Sequence, residues 1–436
     1  MMLDRIIKAI RADGRASDFR LTETAKTGIE WYFSRTALDT ARSVRTREYS
    51  LTLYVDGDGS EGRTRGAYAV SIHPGSADTE IRSAVNRAVR AASGMKNPWY
   101  PIPEPSTLRP APMPSGFQGA APEQAMEGLR AALYRPDGTD GASINSLELF
   151  LSREDVRVVN SRGVDVSWTE WSGFTEFVVN ASAPGSAEVE LYGNREFSDP
   201  DPGRLTSAVR ELLIRARDRL RARPTPACDG MPILFRGEQA MKLYGYWFGN
   251  AQSKASFEKT AAFAIGEDVS GGDGGGDPIG LKAVSYVPGS TASAPYDSDG
   301  VPLGSVECIV GNRLSRLVGP LKYAHYLGIE PTGGFRLFEL APGARSIADL
   351  AARPHLEAAA FSDFFVEETT GDFGGELRLG YLFDGKTGTP VSGGSITGNL
   401  GENRGRILLS SEMENHPYCR GPAACLVPAA SVAPAG

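Results

Sequence analysis

Apolar positions fall on one side of a helix in several stretches of the chain. Between residues 77 and 93, Ile81, Ala84, Val85, Ala88, Val89 and Ala92 recur every three or four positions. Between 202 and 223, Leu205, Val209, Leu212, Leu213 and Ala216 do the same opposite a row of Arg and Asp. That spacing predicts helices with one buried face. Further helices are expected at the amino terminus and over 122–133. Alternating runs predict strands over 27–35, 49–55, 65–72, 146–152, 156–160 and 174–183, with a glycine turn in DGDGSEG. The fold class is therefore α+β: an amino-terminal α/β sandwich-like region followed by a β-rich carboxyl-terminal domain.

Prolines divide the chain. Residues 1–97 read as an α+β lobe, 98–121 as an extended connector too rich in Pro for regular structure, and 122–225 as a central α+β segment completing the amino-terminal domain. RARPTPACDGMP marks the main boundary, and 226–436 follow as the β-rich domain. Its loop GEDVSGGDGGGDP lacks side chains and reads as mobile, and the closing LVPAASVAPAG as loosely held.

Composition narrows the function classes. With 436 residues, 41% hydrophobic, 46 basic against 53 acidic and a net charge of -7, the chain can bury a large core and has no electrostatic case for nucleic acid or an anionic membrane. No apolar run is long enough to span a bilayer. Four scattered cysteines, Cys228, Cys308, Cys419 and Cys425, do not make a secreted disulfide framework. A cytoplasmic protein with reduced thiols is expected.

The residues offer little independent chemistry. The glycine-rich loop leads into a strand-like PIGLKAVSYV rather than a helix, so it is no phosphate cradle, and no Gly-x-Ser-x-Gly elbow exists. DSDGVP lacks the spacing of a calcium loop and reads as a turn held by Asp297. His416 and Cys419, with Cys425 behind and Cys228 as a distant fourth, form the best metal-like cluster. Read as nucleophile and base, the same His416 and Cys419 suit a helix that Pro417 argues against. A turn with unpaired thiols is the simpler reading.

Three stretches carry more information. APYDSDGVPLGSVECIVGNRLSRLVGPLKYAHYLGIEPTGG (294–334), VEETTGDFGGELRLGYLFDGK (366–386) and TPVSGGSITGNL (389–400) follow one another in an order and spacing that resembles the TldD/PmbA metallopeptidase family. Upstream, 54–66, 98–103 and VVNSRGVDVSW from Val158 are similar to elements of its amino-terminal domain. The resemblance implies two kinds of member that pair as a heterodimer acting on peptides. The TldD-like kind carries His-Glu-x-x-x-His on a helix after the domain boundary and a carboxyl-terminal Cys, which together hold zinc. Counting back from IGEDV at Ile265 places that window over Lys242 to Trp247, which read KLYGYW.

No histidine lies between His73 and His325, an ammonium has no lone pair to give, and Trp offers only a donor N–H. Lys242, Leu243 and Trp247 therefore mark a degenerate metal position. Leu243, Tyr244, Trp247, Phe248 and Ala251 instead make an apolar face fit for a core or a partner. The resemblance thus implies a PmbA/TldE-like subunit without a cofactor of its own, zinc being expected in a TldD-like partner, and an unfolded peptide held by strand addition. Thr370, Gly371, Asp372, Phe373 and Gly374 are the candidate substrate contacts, with a structural turn as the alternative. Two other readings stay open: an autonomous hydrolase using Cys419 with His416, and a structural or regulatory homodimer.

Overall fold

The computed structural model describes residues 2–60, 62–138, 141–272 and 274–435. Helix α1 (Met2–Asp13) precedes strands β1 (Asp18–Ser34), β2 (Ala37–Gly59) and β3 (Gly62–Ile72), helix α2 (Asp78–Ser93) and the short β4 (Asn97–Pro98). After the proline-rich connector come α3 (Pro122–Tyr134), β5 (Ala142–Asn160), β6 (Asp165–Ala181), β7 (Val189–Phe197) and α4 (Pro202–Leu220). These strands form one sheet in the order β4-β3-β2-β1-β5-β6-β7. Because β1 pairs β2 on one side and β5 on the other, the segments before and after the connector share a single layer. The connector is anchored by buried Tyr100, Ile102 and Phe117.

Two helix pairs cover opposite ends of the sheet. Ile6, Ile10, Ile81 and Val85 pack on Leu21, Leu51 and Leu53, while Met126, Leu129, Val209 and Leu213 pack on Leu147, Leu149 and Phe177. The strands run further than their alternation predicts. The stretch of β1 between the two cores is polar on both faces, so periodicity fades there although the backbone ladder continues to both neighbours. β5 likewise passes unbroken through Arg153, Glu154 and Asp155, where Glu154 meets Lys26 of β1 at 3.2 Å.

The carboxyl-terminal part has two sheets. β10 (Leu281–Val284), β11 (Ser305–Val310), β12 (Arg313–Leu314), β13 (Leu337–Leu340), β19 (Met413–His416) and β20 (Cys419–Pro422) form one, in the order β12-β11-β10-β13-β20-β19. The other holds β8 (Arg223–Pro224), β9 (Cys228–Arg236), β14 (His355–Val366), β15 (Asp372–Phe383), β16 (Gly388–Ser392), β17 (Ser395–Asn399), β18 (Leu408–Leu409) and β21 (Ala424–Ala433). Since β14 pairs both β9 and β15, the five strands β14-β9-β21-β17-β15 close on themselves. Helix α5 (Glu238–Asn250) lies between barrel and sheet, against β9 and β14 on one side and β10 and β20 on the other. Short helices α6 (Ser253–Phe257), α7 (Leu321–Leu327), α8 (Ile347–Ala351) and α9 (Leu400–Asn403) complete the domain.

Two expectations change here. The closing segment is not loose: β21 runs through it as a barrel strand, with Pro428 inside the register shift between Val427 and Ala430, where no ladder donor is required. The glycine-rich loop has a packing reason for its glycines, because Gly276 N donates to Gly405 O at 2.9 Å and a Cβ on Gly274 would stand 2.2 Å from that oxygen. The 294–300 turn is held as expected: Asp297 is buried and accepts from the backbone of Asp299, Val301 and Gly334, each at 2.9 Å.

No helix among the described residues is long and apolar enough to cross a membrane.

Candidate functional site

Helix α5 organises the site. From Ala240 to Asn250 every residue is buried except Lys242. Trp247 and Tyr244 lie fully inside, Trp247 edge-on to Tyr246 and Phe248 stacked on Phe338 at 4.7 Å. The apolar face read from the sequence is therefore only part of what is covered, because the helix is enclosed by two sheets rather than laid on one. Of the degenerate metal positions, Leu243 and Trp247 point into the core and Lys242 alone reaches solvent. With Trp247 enclosed in the core and Lys242 at the surface, the KLYGYW window does not present its first and last residues to one space.

The amino-terminal end of α5 opens into a cleft of about 620 Å³ between the two domains. Its walls include Tyr192 to Glu196 of β7, the outer strand of the first sheet, and Ala359 to Phe364 of β14, beyond that strand's pairing with β9. Gly237, Glu238 and Lys242 line it too, and their spacing is that of His, Glu and His in His-Glu-x-x-x-His. Read in that register, the metal window would span 237–242, five residues before the count from IGEDV, with Glu238 at the position of its Glu. Gly237 and Lys242 then replace the two imidazoles, and Lys242 holds Glu238 in an ion pair of 3.0 Å.

These residues do not fit zinc. Glycine has no side chain, and an ammonium repels a cation. Among the described residues no three His, Cys, Asp or Glu side chains come together as a metal would require.

His416 and Cys419 face each other across the two-residue turn of the β19–β20 hairpin. His416 lines the cleft, with Nδ1 buried and without a hydrogen-bond partner among the described residues. Burial lowers its pKa to about 4, helped by Arg204, Arg195 and Lys242 and opposed by Glu238. Cys419 is 1% exposed in the core, and burial pushes its thiol far up, where little thiolate forms. No hydrogen bond joins the two, so the nucleophile and base arrangement is not assembled. Cys228 and Cys425 pair with other barrel positions, Val432 and Phe235 of β9, and all four cysteines are free thiols.

The depressed His416 pKa makes a prediction. An unfolded imidazole takes up a proton near pH 6.5, whereas the folded one resists until about 4. Unfolding therefore gains protons, and stability falls as pH drops between about 6.5 and 4. Denaturant melts across that window should show this slope, and His416→Asn should remove its share. An unchanged slope would count against the buried, neutral ring.

Thr370 to Gly374 lie elsewhere, at the bend between β14 and β15 beside the middle and far end of α5. Gly245 and Gly249 admit this bend: a Cβ on Gly249 would stand 2.7 Å from Glu368 Cβ. Asn250 donates to the carbonyls of Glu368 and Thr369 at 3.1 and 3.2 Å. Gly371 has φ +80° against the Tyr246 ring, and Phe373 is buried. Asp372 accepts from Thr370 Oγ1 and Asn399 Nδ2, both at 2.7 Å. The segment is a packed bend, and it does not line the cleft.

Sequence reasoning missed Glu238 and Arg195. Gly245 and Gly249, four apart on a helix, were the readable sign of a close approach.

A family described as PmbA/TldA metallopeptidase C-terminal domain matches residues 229–433. TldE from Thermococcus kodakarensis is similar over 99% of this chain and 100% of its own, with TM-score 0.76 and 17% identity. A putative modulator of a DNA gyrase from Thermotoga maritima gives 0.77 and 16% over 99% of both chains. Another from Bacteroides thetaiotaomicron gives 0.79 and 14% over 99% of this chain and 98% of its own. At these identities the structural likeness is one of fold. No curated protein matches the sequence.

Proposed function

We propose, from the match of residues 229–433 to the PmbA/TldA metallopeptidase C-terminal domain, that this chain is a TldE-like subunit that binds unfolded peptide while a TldD-like partner supplies zinc and performs hydrolysis. The observation that carries the reading is the Lys242–Glu238 ion pair at the head of the cleft, where with Gly237 it occupies the spacing of His-Glu-x-x-x-His without either imidazole.

Binding follows from the walls. β7 and the far part of β14 bring strand edges to the cleft, and an extended peptide can add to such an edge through its main chain. Recognition of that kind reads little sequence and requires an unfolded segment. The expected setting is the cytoplasm, where the four thiols stay reduced.

The test is reconstitution with a relative that retains His-Glu-x-x-x-His. Cleavage of an unstructured peptide should require both chains and stop on chelation, while this chain alone should leave the peptide intact. Chelator-sensitive cleavage by the isolated chain would sink the proposal.

A further inference from the structure

Most charged groups around the cleft are paired. Glu238 holds Lys242 at 3.0 Å, Glu211 holds Arg215 at 2.6 Å, and Glu196 accepts from Tyr418 and Thr291 at 3.0 and 2.9 Å. Arg204 reaches the carbonyl of Asn415 and, at 3.4 Å, Glu414.

Arg195 differs. Its guanidinium donates to the carbonyl of Asn194 at 2.6 Å and forms an ion pair with no carboxylate among the described residues. It stands where the cleft meets a second cavity of about 260 Å³ at the start of α4, and it lines both. Burial disfavours its charge, Glu211 and Glu238 support it from a distance, and Arg204 and Arg215 oppose it. A guanidinium stays protonated in a protein. The molecule therefore keeps a half-buried cation, with donors to spare, on the strand whose edge bounds the cleft.

We propose that Arg195 is the anchor for a peptide carboxylate, most directly the free carboxyl terminus of a chain lying along β7. A guanidinium presents two parallel N–H groups to a carboxylate, which fixes direction as well as adding affinity. An anchored end would place the last residues of the peptide beside the Glu238–Lys242 pair. This rests on the peptide-binding reading above and adds the chemical class of ligand that the cleft prefers.

The test uses the full chain and a fluorescent, acetylated, unstructured hexapeptide without acidic side chains, as the free acid and as the carboxyl-terminal amide. A third peptide is the amide with one internal glutamate. The free acid should bind about 10- to 100-fold more tightly than the amide. Arg195→Gln should abolish that difference, Arg195→Lys should keep part of it, and thermal melts should show both variants folded. Preference for the internal glutamate over the terminal acid would move the carboxylate source to a side chain and keep the anchor. Equal binding of acid and amides by the native chain would overturn the anchor but leave the peptide reading intact. Absence of binding by all three peptides would overturn both. The comparison of peptides on the native chain does not depend on any variant folding.

Discussion

Arg65→Met should destabilise the amino-terminal domain by about 3–5 kcal/mol, the range for removing one partner of a buried ion pair. Arg65 is fully buried and bridges two carboxylates, Asp56 at 2.6 Å and Asp18 at 2.7 Å, while Trp99 and Tyr54 flank its guanidinium. Asp18, nearly as buried, also receives Arg162 at 2.8 Å and Ser161 at 2.7 Å. Removing the arginine leaves Asp56 and Asp18 facing each other across an apolar side chain. Adding Asp56→Asn should recover part of the loss, which a simple packing defect would not allow.

The pH dependence separates the two causes further. Burial alone would raise the Asp18 pKa, but hydrogen bonds from Arg162 and Ser161 and the charge of Arg65 outweigh it, so the net shift is downward. Asp56 shifts the same way, burial being outweighed chiefly by Arg65. In the native protein their stabilisation is fully present above about pH 4 and is lost as pH falls through the lowered folded values. In Arg65→Met the carboxylates lose that help, and their deficit should shrink as acid protonates them. A deficit independent of pH would refute the electrostatic account.

Legibility from sequence followed the reach of the signal. The faces of α2 and α4 were visible because single side chains at helical intervals decide them, and the buried residues of both helices include those named from spacing. The middle of β1 was invisible because nothing apolar covers it and only the ladder defines it. The segments around Asp297 and Thr370 were found through resemblance, yet resemblance did not give the place of the second relative to the cleft. The cleft itself joins Arg195, Glu238, Lys242, Ala359 and His416, residues far apart in the chain. No local pattern links them. The two registers of the metal window, 242–247 by counting and 237–242 by what lines the cleft, differ for the same reason: counting fixes a helix, whereas the face it presents depends on what encloses it.

That register gives the second large effect. Rebuilding His-Glu-x-x-x-His over 242–247 requires Lys242→His, Leu243→Glu and Trp247→His. Trp247 and Leu243 are both 0% exposed. Emptying the indole site costs about 3–5 kcal/mol, and an unpaired carboxylate in place of Leu243 adds several more. The triple variant should fail to accumulate as a folded protein, or melt far below the native chain. Rebuilding over 237–242 needs only Gly237→His and Lys242→His, with Glu238 already present. A Cβ at Gly237 meets nothing within 4 Å, although φ 55° and ψ -129° there impose strain of about 1–3 kcal/mol on any other residue. The double variant should fold and should retain zinc through dialysis better than the native chain, since both new imidazoles would open into the cleft beside His416. Circular dichroism melts and metal analysis of the two variants side by side decide the matter. A stable triple variant that holds zinc, beside a double variant that does not, would return the window to 242–247 and remove the basis for placing the site at the head of α5.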